Sequence, residues 1–266
     1  MGHVKARADV EPSLFAEERK NKILELILRE KKVTVAQLSD LFSVTGATIR
    51  TDLRNMESTG LLTRTHGGAI ERTRTGFEPD SREKEVQNLQ AKQRIGLAAL
   101  DLIENGDTIV LDTGSTTFEL ARCLNRRKNV TVVTNDIVIA KVLEDMQSVN
   151  VLFMGGLLRK GFHCTIGVQG RMIMEGLTVD KAFMGTNGFS LAKGATTPDV
   201  QHAETKKVMI AISAKTILLC DRTKHGRVSL AQFLPSDRLD VLVTDGIDEK
   251  DREQIERAGI ELIVAG

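Results

Sequence analysis

The sequence predicts an α/β protein: a mainly parallel sheet in a larger C-terminal domain, with a smaller winged helix-turn-helix domain at the N-terminus. Three observations carry this. Three apolar runs at helical spacing precede two short β-like runs around a Gly-Gly pair, all before residue 71. A stretch without any period follows, and then seven strand-like apolar runs alternate with helical pattern.

Taken in order, residues 1–13 are small and polar and read as a disordered tail. From Phe15 the character changes: Ile23, Leu24, Ile27 and Leu28 recur at helical spacing between Lys and Glu, as far as Lys31 and Lys32. Thr34 is a candidate N-cap before Val35, Leu38, Leu41 and Phe42, a short second helix. Ser43-Val44-Thr45-Gly46 is a tight polar turn, after which Ile49, Leu53 and Met56 mark the stripe of a third helix ending near Gly60. Residues 61–70 then give two β-like runs around Gly67-Gly68. Residues 14–70 form the first domain on this reading, and 71–80, with Gly, Pro and charge but no period, form a linker. In the second domain, 81–266, a helix from about Arg82 to Glu104 precedes the strand-like 107–112. Further strand-like runs lie at 130–134, 149–154, 179–185, 216–221, 239–244 and 260–264. The helical gaps between them imply a sheet covered on both faces.

Composition excludes several classes. With 266 residues, 41% hydrophobic and 27% charged, the chain is neither globally disordered nor collagen-like, and it is long enough for a substantial core. No apolar run approaches the roughly 18 residues of a membrane span, and the N-terminus lacks a signal peptide's apolar core, so the cytoplasm is the expected location. Cys123, Cys164 and Cys220 are odd in number and lack Cys-x-x-Cys spacing, which implies buried apolar roles, with no metal and no cofactor. The net charge of +1 favours no partner in bulk, so any DNA-binding reading rests on local pattern.

That pattern lies on the third helix. With Ile49, Leu53 and Met56 inward, the ~100° step per residue leaves Ala47, Thr48, Thr51, Arg54 and Asn55 on the opposite face and Arg50 at its flank. Arg can engage guanine bidentately, Asn can engage adenine, and Thr offers a hydroxyl and a methyl. Thr45 caps the helix, whose first N–H groups suit phosphate, while Arg64 and His66 on the hairpin are placed for phosphate or the minor groove. A polar face of this kind on an arbitrary helix is simply solvated. Here a short helix and turn precede it and a basic Gly-Gly hairpin follows.

The run from Glu18 to Ala69, including Val44-Thr45-Gly46-Ala47-Thr48-Ile49-Arg50-Thr51-Asp52-Leu53 and His66-Gly67-Gly68-Ala69, resembles the N-terminal domain of the DeoR family of bacterial transcriptional regulators. Thr45 stands where the family's pattern has Ser and can still cap. Thr51 stands where it has a second Arg, which removes a positive charge from the DNA face. The resemblance implies a double-stranded DNA operator as partner; the two half-sites common in helix-turn-helix operators imply a homo-oligomer, dimer or tetramer, and the lack of a long apolar run implies no membrane involvement.

A second constellation follows the first strand of the larger domain. Asp112-Thr113-Gly114-Ser115-Thr116-Thr117 opens a helix over 117–125, and a Gly/Ser/Thr turn at a helix N-terminus suits an anion. It is not a P-loop, since no Gly-Lys-Ser/Thr follows. An ordinary capped turn explains the segment equally well by itself. Thr134-Asn135-Asp136, Gly155-Gly156, Gly185-Thr186-Asn187-Gly188 and Cys220-Asp221-Arg222-Thr223-Lys224 stand at other strand ends, on the edge where ligands of open α/β sheets bind. Glu204 and Lys207, at i and i+3, share a helix face and alone read as a surface ion pair. His163 and His202 receive no role.

Residues 81–266 resemble the DeoR-family sensor domain, which is similar to ribose-5-phosphate isomerases and glucosamine-6-phosphate deaminases and binds phosphorylated sugars as effectors. The resemblance implies that Asp112, Gly114, Ser115, Thr116 and Thr117 hold the phosphate. It places Asn135, Gly156, Asn187, Glu204, Lys207, Asp221 and Lys224 around the sugar. The expected function is a transcriptional regulator, a repressor of a carbohydrate-utilisation operon relieved by a phosphorylated sugar or sugar derivative. The alternative is a sugar-phosphate isomerase-like enzyme with an appended DNA-binding domain. Isomerisation needs a carboxylate base, and the loop Gly185-Thr186-Asn187-Gly188-Phe189 has none where the related isomerases carry an acidic loop, although Glu204 remains a candidate. A purely structural DNA-bridging protein is disfavoured by the polar sheet edge.

Overall fold

A computed structural model describes residues 16–30, 32–58, 60–71, 76 and 78–266. The expected tail at 1–13, Phe15, Lys31, the side chain of Leu28 and linker positions 72–75 and 77 lie outside the described residues. Contacts divide the chain into two units, residues 1–73 and 74–266.

In the first unit, α1 (Ala16–Glu30) leads through β1 (Lys32–Thr34) to α2 (Val35–Phe42) and α3 (Gly46–Ser58), and then to the hairpin of β2 (Leu62–Thr65) and β3 (Gly68–Glu71). The three strands pair antiparallel in the order β1-β3-β2. β1 is absent from the sequence reading because three residues are too few to show alternation. Thr34 starts α2 with a reciprocal cap: its Oγ1 accepts from Gln37 N (3.2 Å) while Gln37 Oε1 accepts from Thr34 N (2.9 Å). Ser43, left-handed at φ 52°, ends α2, and Thr45 Oγ1 accepts from Thr48 N (3.2 Å) to open α3. Ile23, Ile27, Leu38, Ile49, Leu53 and Met56 bury together as the core of this unit. Asp52, the one carboxylate buried on α3, is bridged by Arg19 Nε of α1 (2.7 Å).

The second unit opens with α4 (Ser81–Val86) and α5 (Leu89–Leu100). The single helix expected over 82–104 is therefore two, broken at Asn88 in the left-handed region (φ 52°). Then follow β4 (Thr108–Leu111), α6 (Ser115–Ala121), β5 (Val130–Thr134), α7 (Ile137–Glu144) and β6 (Val149–Phe153). A hairpin of β7 (Leu157–Arg159) and β8 (Cys164–Ile166) precedes α8 (Val168–Met174) and β9 (Val179–Gly185). The chain continues through β10 (Gly188–Ser190), β11 (Gly194–Thr197), α9 (Val200–Ala211), β12 (Ser213–Leu219) and β13 (Ala231–Leu234). It ends with β14 (Val241–Thr244), α10 (Glu249–Arg257) and β15 (Glu261–Val264).

The seven expected strands make one sheet, all parallel, in the order β15-β14-β12-β9-β4-β5-β6. One apolar cluster covers each face, Ile109, Leu111 and Phe183 belonging to one and Val110, Met184 and Leu218 to the other. The short antiparallel sheet β10-β11-β13 and the β7-β8 hairpin are additions that no periodicity announced. From β4 the chain proceeds one way to β5 and β6, and later returns to β4's other side with β9 and beyond. That reversal opens a crevice between the loops leaving β4 and β9.

Candidate functional site

The exposed face of α3 comes from a helix whose other side is committed to the core. Ile49, Leu53 and Met56 are 0–2% exposed, whereas Ala47, Arg50, Thr51, Arg54 and Asn55 are exposed and Thr48 is half-buried. Thr51 Oγ1 donates to Ala47 O (3.1 Å), and Thr45 Oγ1 lies 2.9 Å from Thr48 Oγ1. His66 is exposed at the hairpin turn. Arg64 is exposed too, but Glu57 Oε2 takes its Nε (2.7 Å) and Glu57 Oε1 its backbone N–H (2.9 Å), so this guanidinium is braced against the end of α3.

In the second unit a cleft opens at the carboxyl ends of β4, β9 and β12. Gly114, Ser115, Thr116, Asn187, Asp221 and Lys224 line it, as six of the sequence-selected residues. Asp112 and Thr117 lie beneath it, wholly buried. Asp112 joins the two strands at the reversal: its Oδ2 accepts from Gly185 N (2.9 Å) and from Lys206 Nζ, which also donates to Gly185 O (3.0 Å). Burial pushes the Asp112 carboxyl up, but Lys206 and His202 outweigh it and hold the group below the usual carboxylate range. Thr117 Oγ1 donates back to Gly114 O (2.8 Å) and so fixes the turn.

Four sequence-selected residues fall outside the cleft. Asn135 is buried and spends its Nδ2 on Thr165 O (2.7 Å), tying the end of β5 to the β7-β8 hairpin. Gly156 stands against the carbonyl of Ile166 in that same hairpin. Glu204 and Lys207 pair with each other at 2.7 Å on the exposed side of α9, 44% and 50% exposed. The helical period places His202 and Lys206, at i and i+4, toward the cleft instead. A search by charge pairing finds the solvated face of a helix, because pairing by itself does not require burial.

The structure adds a cationic group from elements far apart in the chain. Glu78 Oε1 accepts from Lys84 Nζ (2.5 Å) and Asn187 Nδ2 (3.2 Å), and Glu78 Oε2 from Arg159 Nη2 (2.8 Å). Burial raises the Glu78 carboxyl, yet the two cations overcome this and bring it down to about 2. Arg159 also meets Asp199 through Nε (3.3 Å) and stacks 3.7 Å from the centroid of the Phe162 ring, while its Nη1 is buried without a partner. The break between α4 and α5 leaves the carbonyls of Lys84 and Gln87 unpaired by helix, and Lys92 Nζ takes both, the second at 2.5 Å. Burial pulls the Lys92 ammonium down to about 8. Asn88, at the break, reaches Asp221 Oδ1 (3.3 Å), and burial of Asp221 is outweighed by Lys224 and Thr223, so it stays ionised. His202, 4% exposed with neither ring nitrogen in a hydrogen bond and Nε2 3.8 Å from Asp112 Oδ1, is driven toward the neutral form by burial and by Lys206.

The lining thus carries five cationic side chains (Lys84, Lys92, Arg159, Lys206 and Lys224) against two carboxylates, Glu78 and Asp221, while Asp112 beneath it pairs with Lys206 and Asp199 pairs with Arg159. Glu78 and Asp112 each pair with a cation, and Asp221 accepts from Asn88 Nδ2 and from Thr223 N and Oγ1. Among the described residues no group of His, Cys, Asp and Glu could hold a metal ion, and no helix is long and apolar enough to cross a membrane.

Comparison with known proteins gives two family matches. The DeoR-like helix-turn-helix domain matches residues 19–75, and the DeoR C terminal sensor domain matches residues 87–246. The HTH-type transcriptional regulator GlpR of Haloferax volcanii is 37% identical over 247 residues, 92% of this chain and 96% of that protein. The HTH-type transcriptional regulator GolR of Listeria innocua is 31% identical over 257 residues, 95% of this chain and 100% of that protein. An Escherichia coli protein provisionally named as the aga operon transcriptional repressor is 31% identical over 252 residues, 94% of each chain.

Proposed function

Since the chain belongs to the DeoR family of transcriptional regulators, we propose that it is a repressor of a carbohydrate-utilisation operon, relieved when a phosphorylated sugar or sugar derivative occupies the cleft at the β4/β9 reversal. Residues 14–70 read the operator, residues 81–266 sense the effector, and residues 71–80 join them. The reading face is the exposed side of α3, with Arg50, Arg54 and Asn55 facing base edges and His66 beside them on the hairpin. The protein acts as a homodimer or tetramer, because operators of helix-turn-helix proteins carry two half-sites.

The observation that carries the effector reading is the set of five cationic side chains lining the cleft around the Gly114-Ser115-Thr116 turn, against two carboxylates in that lining. A phosphate monoester brings two negative charges and three acceptor oxygens, which charge-assisted donors bind more strongly than they bind a neutral hydroxyl. Glu78 supports the same reading, since a carboxylate of the chain itself already rests on Lys84 and Arg159. Neither position expected to supply the isomerase alternative with a base does so: Glu204 is outside the cleft, and the loop after β9 offers Thr186 and Asn187. The relatives named above are regulators as well.

The test is a thermal-shift screen of sugar phosphates and their dephosphorylated counterparts, followed by operator gel shifts with each hit. A binder should raise the melting temperature by mass action and loosen operator binding. Equal binding of a sugar and its phosphate would place anion recognition elsewhere.

A further inference from the structure

We propose that the open β6 edge of the large sheet is the surface on which a second copy of this chain docks. The two outer strands of the sheet differ sharply. At one edge β15 carries Glu261, paired with Lys215 at 3.2 Å, and the neighbouring α10 is almost wholly charged. At the other edge residues 149–158 contain no charged side chain. By the two-residue period of a strand, Leu152 and Phe153 stand on opposite faces of β6, and both are exposed, at 38% and 39%. The turn beyond them leads to Leu157 and Leu158, 69% and 46% exposed. α8 closes on that turn: a Cβ at Gly170 would stand 2.7 Å from Gly155 O. It adds Val168, Met172 and Ile173 to the surface at 54%, 66% and 51% exposure.

An edge strand displays a row of N–H and C=O groups that lack a sheet partner, and proteins guard such edges with charge, proline, bulges or a covering element. No described strand pairs with the outer side of β6, and none of those guards is in its sequence. A two-fold axis at this edge would set β6 antiparallel to its own copy. The backbone groups of both copies would then be satisfied, and the apolar residues of both faces would be brought together. The seven exposed side chains offer an area of the same order as the roughly 800 Å² per partner of a stable interface. The choice of a second copy as occupant rests on the two-half-site reading above, while the surface itself does not.

Light scattering on the full chain decides between the outcomes. The wild type should run as a dimer or a multiple of it. The Leu152→Glu, Leu157→Glu double variant should fall to half that mass or less, with its circular dichroism and single half-site DNA binding retained. Val264→Glu, the same kind of change on the guarded β15 edge, should leave the mass unaltered. A folded double variant of unchanged mass overturns the surface and leaves the oligomer reading standing, whereas a wild-type monomer overturns the second copy itself. Hydrogen exchange on the unmodified chain gives a readout independent of the variants. The β6 amides not bonded to β5 should be protected at high concentration and exposed on dilution, and equal exchange at all concentrations would also overturn the proposal.

Discussion

Lys206 and Lys207 are neighbours in the chain with opposite circumstances, one 2% exposed on the Asp112 carboxylate and the other 50% exposed on Glu204. Removing one partner of a buried ion pair leaves an uncompensated charge and costs about 3–5 kcal/mol. Lys206→Met is therefore expected to lower urea-unfolding stability by that order and to abolish the effector response. Lys207→Met should stay within ~0.5 kcal/mol of wild type, as surface changes do, and should respond normally. Equal effects of the two would contradict the placement of α9. Lys92 gives a pH signature. Its ammonium is pulled to about 8 by burial, so below that value the cleft holds its positive charge and above it the charge is lost. Phosphate-ester affinity should fall as pH rises past about 8. Binding at pH 8–9 should take up protons, visible in calorimetry as a heat that depends on the buffer's ionisation enthalpy. Affinity that is flat across this range, with no buffer dependence, would remove Lys92 from the site.

At the scale of elements, α3 keeps three apolar residues inward and spends its other face on Arg50, Thr51, Arg54 and Asn55. Arg54→Ala touches no part of the core, so it should leave folding intact and weaken operator binding. The loss should be about 1–3 kcal/mol at the base pair it reads, measured by competition against operators changed one position at a time. Uniform weakening across all sequences would instead mark a phosphate contact. The turn that opens α6 makes the complementary case. Ser115 and Thr116 line the cleft, and a Ser115→Ala, Thr116→Ala double variant should bind a sugar phosphate at least tenfold more weakly while leaving the affinity of the α3 face for operator unchanged. An unaltered thermal shift with that variant would show that the turn only caps its helix. The break between α4 and α5 shows why a long helical pattern misleads. Periodicity ran through Asn88, but the left-handed residue there frees two carbonyls for Lys92 and sends its amide to Asp221.

For the whole molecule, two ligands on one chain must obey linkage. If the effector weakens operator binding by some factor, operator must weaken effector binding by the same factor, with couplings typically of ~1–3 kcal/mol. Titrating effector into the free protein and into the protein–operator complex should therefore give dissociation constants whose ratio equals the loss of operator affinity. Unequal ratios would mean that the effector acts on something other than the DNA-bound equilibrium. Glu78 gives this coupling a physical starting point, since it lies five positions past the boundary between the units and holds two cations of the cleft. On the proposed reading, an effector phosphate would compete with it for both.

The sequence by itself determined what local periodicity and turn chemistry control. Both the stripe of α3 and the seven strands of the large sheet follow from apolar spacing, the start of α2 follows from Thr34, and the Gly-Ser-Thr turn after β4 is recognisable from composition. Tertiary structure alone decided the order of those strands, and with it the placing of β9 beside β4, where the cleft opens. It also decided which charges count. Lys206 meets Asp112 across 94 residues of chain and Arg159 meets Glu78 across 81. No spacing rule reaches such distances. A buried charge is tolerable only beside its partner, and what lies beside it is settled by how the elements pack.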